Sequence, residues 1–530
     1  MHDSQGSPPY IDGQRVMFLD LPPELILSIC RAFVAWRMIF ELEKVCKVLN
    51  EMLSDRSLWS YLVSTCLSPS SCGPKIYFLE RPIITYTSSQ LRELFVRWKK
   101  VEQGWRRANQ QTFNTRTFSL HSNLNYPTSV LVPGGRWILS FTEDNSASYF
   151  DLDSQVLDPT PLIPPQCLGP GPGPGWRMNV SKPDIDSTSP GSGTSFRLAV
   201  TYCARNSYHR GPSTIQVWNI LSVYNVDTRA TTLVADKIAQ FQLNLDCGLL
   251  EVSALEGDIV LLWVPYLYFD LDPFASTYLL VNWRKASRNA QVPSCRLLRM
   301  RTKGWGVVIL DDAVLLQSAC YGALTWTNYE AIPQLSISEV ERYRRPSAIS
   351  NIHYGQDTSI KIPEHPSDLI HISPTFYGYD VTAGTIKGVF LADKLGRIFV
   401  VVHFRKVSLT PGSPLIICLP VGTCRMGTTE YGAVGHTVGV FVNNTITQSL
   451  KVAVYSHILH DIGERLSKEQ DGLHTLPNAK VFTDPRPLTM LGIDTPLTPN
   501  AIVWGFNEGT GRILIYNHFQ STCTILDMIV

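Results

Sequence analysis

After about residue 115 the hydrophobic pattern of this chain changes period once and does not change back. Short runs rich in Val, Ile, Leu and aromatic residues follow one another. Among them are Ser129–Val132, Trp137–Phe141, Ser148–Leu152, Phe196–Tyr202, Thr214–Ile220, Ile259–Val264 and Tyr278–Trp283, with more at 306–310, 389–391, 398–404, 439–443, 451–455, 501–504 and 512–517. Pro133-Gly134-Gly135, Glu256-Gly257-Asp258, Asp393-Lys394-Leu395-Gly396 and Glu508-Gly509 punctuate them, as turns between strands do. No long helical pattern interrupts the series, which argues against a parallel βαβ architecture. The 415 residues that follow position 115 in a chain of 530 are too many for one sandwich. Radial repetition of four-stranded sheets solves the edge problem at this size. At ~40–60 residues a blade, about seven blades fit, with six or eight as alternatives. The Gly-Pro alternation Leu168–Pro174 and the Ser/Gly/Pro stretch Ser187–Ser195 read as exposed loops.

The residues before the switch are helical. Leu21-Pro22-Pro23-Glu24-Leu25 opens the first helix, proline being tolerated in a first turn whose N–H groups have no partner. Asp20 and Glu24 put negative charge at the positive end of its dipole. Leu25, Ile26, Ile29 and Phe33 form one apolar stripe, and Val45, Val48, Leu49 and Met52 a second at i, i+3, i+4, i+7. A third short helix is expected over Asp55–Leu67, with Leu58, Trp59, Leu62 and Val63 inward. After a Ser/Pro/Gly break at Ser68–Pro74, Thr87 and Gln90 make a capping box. Leu91, Leu94, Phe95, Trp98, Val101 and Trp105 then recur at helical spacing. The opposite face carries Arg92, Arg97, Lys99, Lys100, Arg106 and Arg107, which reads as a solvated face; an anionic nucleic-acid partner would call for interleaved aromatics that are absent from it. The expected division is a disordered tail at 1–17, a small all-α domain at 18–67, a helical linker at 68–114 and a large all-β domain at 115–530, an α+β multidomain chain.

Composition narrows the function classes. With 46 Lys+Arg against 45 Asp+Glu, the chain is no globally basic nucleic-acid binder. The N-terminus lacks the basic and apolar regions of a signal peptide. The longest apolar run, Ile259–Phe269, is broken by Pro265 and is short of the ~18 residues needed to cross a bilayer. No membrane association is expected, and cytoplasm or nucleus is the expected location. The 12 cysteines show no CxxC pair, so neither a zinc site nor a disulfide framework is indicated. The sequons at Asn179 and Asn443 then read as chance matches.

The first sixty residues resemble an F-box. The family pattern stands here as Leu21-Pro22-Pro23-Glu24-Leu25-Ile26, then Ile29, then Val45-Cys46-Lys47, then Asp55-Arg56-Ser57-Leu58-Trp59-Ser60-Tyr61-Leu62, all in order. The segment Trp98–Arg107 is similar to the linker helix of F-box proteins that carry a WD-repeat propeller. In the β region Gln216-Val217-Trp218-Asn219 and Ser148-Tyr149-Phe150-Asp151-Leu152 echo such repeats, without clean Gly-His…Trp-Asp units. The resemblance implies docking onto a Skp-type adaptor and through it a cullin-RING scaffold, with Leu21, Pro22, Leu25, Ile26, Ile29, Val45, Cys46, Leu58 and Trp59 forming or supporting the docking surface. A helical unit of ~45 residues is too small to bury all its apolar side chains, and those left out would demand a partner. For Leu49, Leu62 and Val63 a plain core role is the reading.

No active site emerges. His353, His365 and His371 lack companion ligands, and the prolines in Gly169-Pro170-Gly171-Pro172-Gly173 remove the N–H donors a phosphate needs. Gly509-Thr510-Gly511-Arg512 lacks the Walker lysine, and a hairpin turn accounts for Asp311-Asp312. No catalytic residue, cofactor or metal is expected. The leading expectation is therefore a non-catalytic substrate receptor of an SCF-type ubiquitin ligase, with the β domain binding a protein substrate. The alternatives are a β-propeller enzyme or sugar-binding propeller, and an F-box protein that acts outside a cullin complex.

Overall fold

The computed structural model describes residues 18, 21–33, 35–67, 77–119, 128–142, 146–165, 176–181, 184–185, 194–204, 213–243, 245, 250–264, 276–288, 294–300, 307–310, 313–317, 323–328, 332–342, 358–361, 369–372, 376–380, 384–393, 397–405, 415–423, 431–434, 438–443, 449–454, 490–493, 501–517 and 522–529. The expected tail at 1–17, the loop at Leu168–Pro174, most of Ser187–Ser195, Asp311-Asp312, His353 and His365 lie outside them.

Among the described residues five α-helices precede the strands: α1 Pro23–Phe33, α2 Trp36–Val45, α3 Lys47–Leu53, α4 Arg56–Leu67 and α5 Ser88–Trp105. The stripe expected through Val45, Val48, Leu49 and Met52 is not one helix. Cys46 is extended (φ −159, ψ 163), ends α2 and starts α3. As a result Val45 and Val48 turn outward while Leu49 and Leu53 are buried. The capping box is realised: Thr87 N–H donates to Gln90 Oε1 at 2.9 Å, and Gln90 N–H to Thr87 Oγ1 at 3.3 Å.

The chain divides into two compact units, and the division falls inside α5. Residues 1–66 with 85–96 form one unit, residues 67–84 with 97–530 the other. These limits cross the boundaries drawn at 67/68 and 114/115, because α5 gives its first half to the helical core and its second half to the β core.

In the second unit the described strands make seven antiparallel sheets, most strands pairing in chain order; Gln334–Leu335, which follows three strands of another sheet, returns to pair with Cys295–Met300. The first holds Thr128–Leu131, Trp137–Phe141, Ala147–Asp151 and Thr160–Ile163. The second holds Trp176–Val180, Ser195–Ala204, Ser213–Asn225 and Ala230–Leu243, the third Glu251–Glu256, Ile259–Val264, Ser276–Asn282 and Cys295–Met300. The fourth holds Val307–Leu310, Ala313–Gln317, Ala323–Asn328 and Thr358–Lys361. The fifth is built on Leu369–Ile372, Gly384–Asp393, Arg397–Arg405 and Leu415–Thr423, the sixth on Tyr431–Val434, Val438–Asn443, Ser449–Val454 and Met490–Ile493. The seventh joins Ala501–Asn507, Arg512–Asn517 and Thr522–Met528 to a strand from the other end of the region, Phe113–Ser119, which pairs with Thr522–Met528 in unbroken register from Phe113↔Met528 to Ser119↔Thr522.

The leading strands of successive sheets lie against one another from the first sheet to the fourth and from the fifth to the seventh. Trp504 Nε1 of the seventh donates to Ser129 O of the first at 3.0 Å. This arrangement is a β-propeller. Apolar clusters fill the seams. Trp137, Phe141, Phe196 and Trp218 lie between the first and second sheets, and Ile215, Phe241, Val260 and Leu279 between the second and third. Val440, Val452, Ile513 and Leu526 lie between the sixth and seventh, where Val101 and Trp105 of α5 join them.

An ionic cluster around buried Arg512 pins the seam of the first and seventh sheets. Arg512 is paired with Asp527, with Asp153 Oδ1 at 2.9 Å and with the Gly135 carbonyl at 2.6 Å. Arg116, on the Phe113–Ser119 strand, reaches Asp527 Oδ2 at 2.6 Å and the carbonyl of Ser154 at 2.9 Å. Arg136 holds Asp151 bidentately at 3.0 and 2.7 Å and also binds Glu80. Burial pushes Asp153 upward, but Arg512 and Arg97 outweigh it and hold its carboxyl below the ordinary range. At Glu80 burial wins over Arg136, and its carboxyl lies above the ordinary range.

Glu80 belongs to a strap at 77–81 laid across the first two sheets. Thr194 Oγ1 donates to Leu79 O at 2.8 Å, Ser222 Oγ to Glu80 O at 2.5 Å, Arg81 stacks on Tyr224 at 3.9 Å, and Tyr77 stacks on Trp98 at 4.7 Å.

Candidate functional site

The helical unit is built around Trp59, which is fully buried. Its indole N–H donates to Leu53 O at 2.8 Å, and its ring meets Phe40 and Phe95 at centroid distances of 6.0 and 6.1 Å. Ile26, Cys30, Ile39, Leu49, Leu53, Leu58, Val63 and Leu91 complete this core. Above it Arg92 lies over the Phe40 ring at 4.9 Å and pairs with Glu43 Oε2 at 2.6 Å. Glu43 is nearly buried, and desolvation raises its carboxyl despite Arg92. Part of the basic face of α5 is thus spent inside the chain: Arg92 on Glu43, Lys99 and Arg106 on Glu102 at 3.0 Å each.

Asp55 starts α4. Its Oδ1 accepts the Ser57 N–H at 2.7 Å, two residues on, as an N-cap does. Hydrogen bonds from the Ser57 side chain and backbone hold the Asp55 carboxyl below its ordinary range. A folded-state pKa below the unfolded one stabilises at neutral pH, and that stabilisation is lost as pH falls through the lowered value. Asp55→Ala is therefore expected to cost about 1 kcal/mol at pH 7, a typical cap loss. In urea melts the gap from wild type should close as the solution is acidified. A gap that is constant with pH would mean the carboxylate does not act as the cap.

The nine residues singled out for docking separate into two groups. Ile26, Leu58 and Trp59 are fully buried, so they can only hold a surface from beneath. Leu21, Ile29 and Cys46 are half-buried, and Pro22 is exposed. Leu25 and Val45 are exposed, at 51% and 68%. Leu62, expected in the core, is half-buried, while Leu49 and Val63 are buried there. Sequence reasoning left four further exposed apolar groups of the same unit out of the docking set: Phe18, Met38, Val48 at 50% and Tyr61. Met38 sits on α2, a helix whose Glu41, Glu43 and Lys44 mask its apolar spacing. The spacing Met38 to Val45, i to i+7 on one helix face, was the available signal.

Elsewhere the chemistry-bearing motifs resolve into structure. In Gly509-Thr510-Gly511-Arg512, Asn507 Oδ1 accepts both Thr510 N–H and Thr510 Oγ1 at 3.0 Å, Gly511 has φ +69, and Arg512 turns into the ionic cluster. A Cβ on Gly511 would stand 2.8 Å from Met528 Cβ, so this turn requires glycine twice over. His371 lies in the strand Leu369–Ile372. Within the sequon at Asn179, the hydroxyl of buried Ser181 accepts the Ala199 N–H at 3.0 Å. Among the described residues no group of three His, Cys, Asp or Glu could hold a metal, no helix is long and apolar enough to cross a membrane, and Cys30, Cys46, Cys66, Cys295 and Cys523 stand outside any disulfide.

No family model and no curated protein matches the chain. Among solved structures it is similar to the β-propeller domain of Cps50 (Swd1) from Myceliophteria thermophila, at 9% identity and TM-score 0.39, over 79% of this chain and 100% of that one. The WD40 domain of SCAP from fission yeast matches at 9% identity and TM-score 0.35, over 76% and 85%. Trypanosoma rangeli sialidase matches at 10% identity and TM-score 0.32, over 77% and 65%. Likeness this loose decides nothing about what the chain binds or does.

Proposed function

We propose that the chain is a substrate-receptor subunit of an SCF-type ubiquitin ligase: the helical unit docks a Skp-type adaptor, and the β region, a ring of seven blades closed by the Phe113–Ser119 strand, takes a protein client. The observation that carries this reading is the set of apolar side chains left uncovered on so small a helical unit, Leu25, Val45 and Val48, on the very segments whose sequence resembles an F-box. Uncovered aliphatic groups above a well-packed core are what a partner surface needs. In this reading the chain does no chemistry; it accelerates ubiquitin transfer by raising the client's effective concentration near the charged enzyme.

The test is affinity purification of the full chain beside Leu25→Asp and Val45→Asp, read by mass spectrometry. Both side chains are exposed, so both variants should keep the wild-type circular dichroism and melting profile. Each should lose about 2 kcal/mol or more of adaptor affinity if it lies at the centre of the contact. Adaptor and cullin should disappear together while clients of the β region remain. A wild-type purification without an adaptor would overturn the proposal. Adaptor without cullin would replace it with a role outside a cullin complex.

A further inference from the structure

In the third sheet, the crossing from Ser276–Asn282 to Cys295–Met300 begins with a short helix, α6, Trp283–Arg288. It carries three cations in six residues, Arg284, Lys285 and Arg288, all exposed, around an exposed Ser287. The helix packs on the Ala230–Leu243 strand through its buried face, Trp283 and Ala286, and leaves its other face to solvent. Asn282 Oδ1 caps the Lys285 N–H at 3.0 Å. Trp283 is buried and donates through Nε1 to Gly257 O at 2.9 Å and through its backbone to Asp258 O at 3.0 Å. Arg284 is tied to Asp258 Oδ1 at 2.8 Å. Beyond buried Ala286, Ser287 Oγ donates to Arg284 O at 3.2 Å, a bond within the helix itself.

We propose that Ser287 is a phosphoacceptor for a Ser/Thr kinase of the class that reads basic residues ahead of its target. Arg284 and Lys285 stand three and two residues before the hydroxyl and Arg288 one after it, a charge pattern complementary to a carboxylate-lined peptide cleft. Kinase clefts take extended segments. A single-turn helix has little intrinsic stability, so its C-terminal end can unwind while Trp283 keeps the loop anchored. In the transfer, Ser287 Oγ attacks the γ-phosphorus of ATP, the bond to the bridging oxygen breaks, ADP leaves, and the hydroxyl proton passes to the kinase's base. The product adds a charge of about −1.5 to −2 among three cations. It also offers Arg284 a second partner besides Asp258.

The full chain is incubated with ATP and a purified kinase that prefers arginine at both of those upstream positions, and the site is mapped by peptide mass spectrometry. Mapping is needed because Arg344-Arg345-Pro346-Ser347 offers a similar string elsewhere. Phosphate is expected on Ser287 and absent there in Ser287→Ala, with the rate at Ser287 falling about tenfold in Arg284→Ala as one charged contact is lost. A synthetic peptide of residues 279–291 serves as the unfolded reference. If the peptide is modified and Ser287 in the chain is not, the fold shields the site and the proposal falls. It falls equally if the peptide is refused, or if Arg284→Ala is modified as fast as wild type.

Discussion

Arg512→Met is expected to cost about 2–3 kcal/mol, the loss of charged hydrogen bonds from a buried guanidinium to carboxylates that are themselves only partly buried. The replacement keeps roughly the length and apolar stem of the side chain, so the loss is electrostatic. Two carboxylates, Asp527 and Asp153, would be left facing the vacated space, along with the Gly135 carbonyl. Asp527 keeps Arg116 at 2.6 Å, whereas the nearest salt-bridge partner left to Asp153 among the described residues is Arg97 at 4.0 Å. Arg512→Lys retains the charge without the fork that serves three acceptors at once, and should fall between the two. The midpoint of the first cooperative urea transition reports both. The pH dependence fixes the cause. Asp153 is held below its ordinary range in the wild type, so its contribution is present above that range and disappears as pH falls through the lowered value. Wild type and Arg512→Met should therefore converge on acidification. A loss that is the same at all pH values would assign the effect to packing instead.

The partners of Arg512 show what the sequence leaves hidden. Asp153 lies 359 residues away and the Gly135 carbonyl 377, and no local pattern announces such a meeting. Asp527, by contrast, follows Arg512 by fifteen residues, as Asp151 follows Arg136. Both arginines follow a glycine with positive φ in the turn after a sheet's leading strand: Gly135-Arg136-Trp137-Ile138 and Gly511-Arg512-Ile513-Leu514. Gly257-Asp258-Ile259-Val260, after the leading strand of the third sheet, extends the series. Read singly these are turn signals; read together they are a repeat that marks where successive blades begin.

Strands with strong apolar content were legible to the residue, as at Trp137–Phe141, Ile259–Val264 and Arg512–Asn517. Ala230–Leu243 was not, because an outer strand with one solvated face carries Asp236, Lys237, Gln240 and Gln242 and has a bulge between Lys237 and Ala239. Phe113–Ser119 is similarly polar, and only its pairing with the far end of the chain makes it a strand. On the helical unit, spacing identified which residues are apolar but not which face out. Trp59 and Val45 look equally suited to a partner in the sequence; the ring contacts with Phe40 and Phe95 make one core, and the break at extended Cys46 leaves the other on the surface.

Trp105→Ala carries the other large expected effect, about 3–5 kcal/mol for emptying a buried indole site. The indole N–H donates to Glu508 O at 2.8 Å, the ring meets Phe506 edge-on at 6.3 Å, and the side chain sits in one cluster with Val438, Val440, Ile513 and Met528. The preceding Gly104 lets the helix backbone rest on Met528, where an added Cβ would come within 2.2 Å of the sulfur. The last two turns of α5 are thus part of the β core rather than a connection to it. A chain that starts at residue 113 would uncover the aliphatic face of the sixth and seventh sheets and lose the strap at 77–81; it should be insoluble or aggregate on purification. A chain that starts at residue 77 keeps both and should yield soluble protein with a cooperative thermal transition. Equal behaviour of the two truncations, together with a Trp105→Ala loss below about 1 kcal/mol, would place the helix outside the β fold.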